Sequence, residues 1–97
     1  MGLDQYLFDS SKPNPLNPLD PGPKLAYWRE DWYLQGYIDS GNWENFNISL
    51  DYCNELLDNL DSIYFHDNTY RAVTYKAFTE AREILIAGGR ITYHGNW

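Results

Sequence analysis

Over the 41 residues from Glu30 to Tyr70 there is not one lysine or arginine. A stretch without cations repels nucleic acid and anionic membrane and attracts a basic protein surface. Cysteine is nearly absent too. Cys53 stands alone, which excludes an intramolecular disulfide and a cysteine-based zinc cluster and fits a reducing compartment. The only histidines are His66 and His94, and two ligands do not define a metal site. No apolar run is long enough to cross a bilayer. The opening Met1–Tyr6 lacks the positive start and apolar run of a secretion signal. Gly88-Gly89 follows a helical pattern, whereas phosphate-binding glycines open one. Neither a Gly-x-Ser-x-Gly elbow nor a His-Glu-x-x-His helix occurs. No cofactor or metal is expected, and nothing in the spacing selects a catalytic pair.

What fills the cation-free stretch is acid and aromatic ring. It holds nine carboxylates, Glu30, Asp31, Asp39, Glu44, Asp51, Glu55, Asp58, Asp61 and Asp67, and nine aromatics. The flanks carry all seven basic residues and the five other acids, so −9 and +2 give the net −7. Ninety-seven residues, 43% hydrophobic, make one small domain spanning 1–97. Its core is thin but sufficient without staples.

The element pattern predicts α+β: three helices packed on a small antiparallel sheet. Tyr6 and Phe8 alternate with Leu7 in a short strand over 3–8. Pro13, Pro15, Pro18, Pro21 and Pro23 make residues 10–23 a proline-rich extended arm. Leu25, Trp28 and Trp32, spaced i, i+3, i+7, predict a first helix over 24–38. Residues 43–48 read as extended. Ser49 caps a second helix over 50–62 with an apolar stripe of Leu50, Cys53, Leu57 and Leu60. Ile63-Tyr64-Phe65 reads as a brief strand. A third helix runs from about Thr74 to Ala87 and stops at Gly88-Gly89. A last strand alternates from Arg90 to His94.

On the second helix Asp51, Glu55, Asp58 and Asp61 follow i, i+4, i+7, i+10. At a rise of 1.5 Å per residue the steps are roughly 4–6 Å, close to the roughly 6–7 Å between phosphates along a nucleic-acid strand. No cation stands at i+4 to pair them. This acidic row, with Trp32, Tyr37 and Trp43 as aromatic anchors, is the candidate partner-binding surface.

Three further marks combine. The chain opens Met1-Gly2-Leu3-Asp4-x-Tyr6-Leu7, carries Tyr27-Trp28-Arg29, and closes Tyr93-x-x-x-Trp97. Together they resemble a family of small uncharacterised proteins of bacteriophages and prophages. In that family Tyr-Trp-Arg is followed by a Lys-Ala-Asn-like run. Here Glu30-Asp31-Trp32 follows instead, and Gly95-Asn96 replaces two small residues before the last tryptophan. The resemblance implies the setting of phage infection, with the host bacterial cytoplasm as location. It implies no reaction. The leading expectation is a non-enzymatic protein that binds and modulates a host protein, with a DNA-binding protein deceived by the acidic row as one form of it. Direct nucleic-acid or membrane binding is not expected. A homodimer is, because a thin core leaves an aromatic face over. The alternative is a small-molecule or nucleotide pocket lined by Asp4, Tyr6, Trp28, Arg29, Tyr93 and Trp97. In it Arg29 is the anion contact, and its guanidinium is expected to be partly buried, stacked on a ring or paired with a carboxylate such as Asp4.

Overall fold

The structure, a computed structural model, describes residues 3–11, 22–38, 46–65 and 67–96. The elements in chain order are strand β1 (Asp4–Asp9), strand β2 (Lys24–Arg29), helix α1 (Trp32–Ile38), strand β3 (Phe46–Ile48), helix α2 (Leu50–Asp58), a 3₁₀ turn (Leu60–Ser62), helix α3 (Thr69–Ile86) and strand β4 (Ile91–Asn96). This is an α+β fold with a four-stranded sheet in the order β2-β1-β4-β3, every pairing antiparallel. The expected proline-rich arm lies, over residues 12–21, outside the described residues.

Strand β1 is central and its side chains alternate as a pleat requires. Gln5, Leu7 and Asp9 are buried, while Asp4, Tyr6 and Phe8 are half-buried on the opposite face. Ala26 and Trp28 of β2, and Ile91 and Tyr93 of β4, join the buried side. There they meet the helices. The Trp28 ring lies 6.5 Å from Phe78 of α3, and its Nε1 donates to Thr74 Oγ1 at 2.9 Å. Leu34, Ile48, Cys53, Leu56, Ala77, Phe78 and Ala81 complete one core.

The helix expected over 24–38 is two elements. Residues 24–29 pair with β1, with Tyr6 opposite Tyr27 and Asp4 opposite Arg29. Lys-Leu-Ala-Tyr-Trp-Arg satisfies a period of 2 as well as one of 3.6, and a non-local ladder decides between them. The break falls at Glu30, whose φ of 55° is left-handed. Its amide donates to Leu3 O at 2.6 Å. Asp31 then caps α1, its Oδ1 accepting from the Leu34 amide at 3.1 Å, as an N-cap acid does.

Helix α2 begins as expected, with Ser49 Oγ accepting from the Tyr52 amide at 3.0 Å. It ends at Asp58, and the remaining turn is 3₁₀. The brief strand expected at 63–65 does not form. Ile63 and Phe65 are buried and Tyr64 is exposed, an alternation that imitates a strand. The Ile63 carbonyl, however, faces an arginine instead of a ladder. Arg71 Nη1 donates to Leu60 O at 2.6 Å and Nη2 to Ile63 O at 3.1 Å, with the guanidinium 5.2 Å from the Phe65 ring centre. Helix α3 starts at Thr69, five residues earlier than expected. Asp67 Oδ1 accepts from the Thr69 amide and hydroxyl at 2.9 and 2.8 Å and extends the helix backwards. Its end follows the glycine signal. Gly88, at φ 90°, donates to Leu85 O, and Gly89 donates to Ile84 O, the paired bonds of a Schellman cap.

Candidate partner-binding surface

Helix α2 buries Cys53 and Leu56 against the core. Asp51, Glu55 and Asp58 therefore fall on the opposite side, and all three are exposed, as is Asp61 in the 3₁₀ turn. Three of the four acids share the exposed side of α2, and Asp61 is exposed in the turn that follows.

Exposed aromatics stand on α1 and just after the 3₁₀ turn. Trp32 is 51% exposed and Tyr33 55%, and Tyr37 is at the edge of exposure. Tyr64, three residues beyond Asp61, is 66% exposed. The rings of Tyr33 and Tyr64 meet edge to face at 4.6 Å, which joins α1 to the end of the acidic row. A second tie sits at the other end of α1. The Tyr52 hydroxyl of α2 donates to the carbonyls of Tyr37 and Ile38, at 2.9 and 3.1 Å. The start of α1 is thus tied to the segment after the 3₁₀ turn, and its end to the first turn of α2. Of the expected anchors, Trp32 and Tyr37 are here. Trp43 lies outside the described residues.

What seats α1 is a buried polar cluster that sequence reasoning missed. Gln5 is fully buried. Its Nε2 donates to Asp31 O at 3.0 Å and to Tyr93 Oη at 2.9 Å, and its Oε1 accepts from the Asp31 amide at 2.8 Å. The central strand thereby grips the residue that caps α1. The signal was a glutamine between Leu3 and Leu7 on the apolar face of a strand, where a polar side chain has to have partners. Tyr33 and Tyr64 were missed as well. Tyr64 sits between two buried residues, so its outward direction followed from alternation alone.

The six residues of the alternative pocket are distributed otherwise. Trp28 and Tyr93 are core residues on the helix side of the sheet. Asp4 and Tyr6 are on the other side, and Arg29 is exposed at the end of β2. The sheet stands between the two groups, and Trp97 lies outside the described residues. Arg29 is not partly buried: it stands opposite Asp4 in the ladder, but the Asp4 carboxylate accepts from the Tyr27 hydroxyl at 2.6 Å instead. That bond first, and burial second, raise the Tyr27 pKa above the ordinary tyrosine value. On the same face Tyr6 stacks on Phe8 at 5.6 Å, and the Lys24 ammonium lies 5.5 Å from the Tyr27 ring centre.

Cys53 is buried and its thiol donates to Phe78 O at 3.1 Å. Burial pushes its pKa up, which suits a small core residue and not a nucleophile. Among the described residues no three histidine, cysteine, aspartate or glutamate side chains cluster as a metal would need. Nor is any helix among them long and apolar enough to cross a membrane. No protein-family model, curated protein or solved structure matches this chain.

Proposed function

We propose that this chain is a binding protein, without catalysis, that docks a basic surface of a host protein onto α2 and α1. The observation that carries the reading is the exposure of Asp51, Glu55, Asp58 and Asp61, together with Trp32, Tyr33 and Tyr64 at least half exposed and Tyr33 in ring contact with Tyr64, three residues after Asp61. Carboxylates steer a cationic partner and raise its on-rate, and desolvated rings supply most of the affinity once it is seated. A phage protein acting on a bacterial host is the setting that the resemblance at Met1–Leu7, Tyr27–Arg29 and Tyr93–Trp97 suggests. Imitation of a DNA strand by the acidic row is a narrower version of the same proposal.

The test is capture of host proteins by the parent chain and by the triple variant Asp51→Lys, Glu55→Lys, Asp58→Lys. These side chains point away from the core, so the variant should fold, which circular dichroism checks. A host protein retained by the parent and lost by the variant supports docking. Its displacement by short duplex DNA supports imitation. Equal capture by both forms makes the row ordinary solvated surface and removes the proposal.

A further inference from the structure

The C-terminal end of α3 meets the end of β1 in a groove of about 330 Å³ lined by Asp9, Ser11, Ile84, Ala87, Gly88 and Gly89. Asp9 is only 4% exposed. Its Oδ1 accepts from the Ser11 amide at 3.1 Å and from the Ser11 hydroxyl. Its Oδ2 accepts nothing from the described residues. A buried carboxylate oxygen without a donor is costly and calls for a cationic or hydrogen-bonding partner. The helix end deepens the negative field, because α3 has no basic residue in its last turn. Arg90 borders a neighbouring groove and not this one. The close approach that forms the groove needs glycine at 89. A Cβ there would stand 2.5 Å from Ile84 Cγ2 and 3.0 Å from Ser11 Oγ.

We propose that this groove binds a primary alkylammonium group, with the N–H donors on Asp9 Oδ2 and the alkyl chain against Ile84 and Ala87. The donor geometry selects the class. A guanidinium pairs with a carboxylate through two parallel bonds, and Ser11 already holds one of the two oxygens. A compact ammonium needs one. A divalent metal needs several oxygen or nitrogen ligands, and among the described residues Asp9 is the one carboxylate lining the groove. The ammonium can come from a small amine or from a lysine side chain of another protein, and the experiment separates the two.

The experiment records amide spectra of the full chain by heteronuclear NMR at neutral pH during titration with n-butylammonium chloride. Sodium chloride of equal ionic strength, methylguanidinium and tetramethylammonium are run in parallel. Saturable shifts at Ser11, Gly88 and Gly89 are expected with butylammonium alone. Asp9→Asn keeps an oxygen for Ser11 and should bind at least about tenfold more weakly, as loss of a charged hydrogen bond implies. Ala87→Trp, at an exposed position on the rim, should abolish the response with the fold retained, so the test stands even if Asp9→Asn unfolds. An equal response to blocked lysine, N-acetyl-lysine amide, assigns the site to protein side chains. A response to the free amine alone assigns it to small ligands. Shifts reproduced by sodium chloride, a full response from folded Asp9→Asn, or equal binding of methylguanidinium overturns the proposal.

Discussion

Replacing Gln5 by leucine removes three hydrogen bonds at one stroke, to the amide and carbonyl of Asp31 and to the hydroxyl of Tyr93. The side chain is fully buried, so solvent does not reach in to replace them. Each buried group that loses its partner costs about 1–3 kcal/mol. Leucine has nearly the volume of glutamine and returns about 1–2 kcal/mol through burial. The net expectation is destabilisation by at least about 1 kcal/mol, and by about 4 kcal/mol at the middle of these ranges. For a domain of this length, at about 4–8 °C per kcal/mol, the middle value lowers the melting temperature by about 16–32 °C. Urea unfolding followed by circular dichroism measures it. Tyr93→Phe removes one of the three bonds and should cost about 1 kcal/mol. The double variant should then cost less than the sum, because both changes delete the same bond. If Gln5→Leu lies within about 0.5 kcal/mol of the parent, the cluster does not hold α1 and the reasoning fails.

Two titratable groups give further expectations. Cys53 should resist a thiol reagent in the native state and react only as the chain unfolds, at a rate that follows denaturant, since it is buried and its pKa is raised by burial. Tyr27 has its pKa raised in the fold, so its stabilising contribution is complete below the ordinary tyrosine value of about 10 and is lost as pH rises through the raised one. Tyr27→Phe should therefore lose less stability than the parent as pH rises above about 10, and an equal loss would mean that the Asp4 bond does not form in solution.

Legibility followed the range of the interactions. Helix α2 and the end of α3 were readable because their determinants are local: Ser49 beside an apolar stripe, and two glycines after one. The acidic row was readable because helical spacing alone turned Asp51, Glu55 and Asp58 away from Cys53 and Leu56. Strand β2 was not, because Leu25, Trp28 and Trp32 fit a helical period and only pairing with β1 overrides it. The start of α3 was missed, although a carboxylate two residues ahead of Thr69 is a capping signal. The aromatic patch was half legible. Trp32 was named as an anchor, but Tyr33 joins it only through Tyr64, 31 positions further along the chain, a meeting that no local pattern encodes.

The acidic row also has a cost that the fold has to carry. Asp51 and Glu55 are i, i+4 neighbours of like charge, and Glu55 and Asp58 are i, i+3 neighbours. Each such pair destabilises a helix by about 0.2–0.5 kcal/mol. A helix of nine residues has little stability of its own. It stands because Ser49 caps it and because Cys53 and Leu56 are buried under it. Salt should therefore act in opposite directions on the free chain and on its complex. Screening over about 8 Å at physiological ionic strength relieves repulsion within the row and stabilises the free protein, while it weakens attraction to a basic partner. Thermal melting of the free chain should rise slightly between low and physiological salt as partner affinity falls steeply. The triple lysine variant, with its charges reversed in sign but still repelling one another, should keep the first response and lose the second. If salt lowers both stability and affinity in the parent, the acids are engaged by cations within the fold, and the row is a structural feature instead of a docking surface.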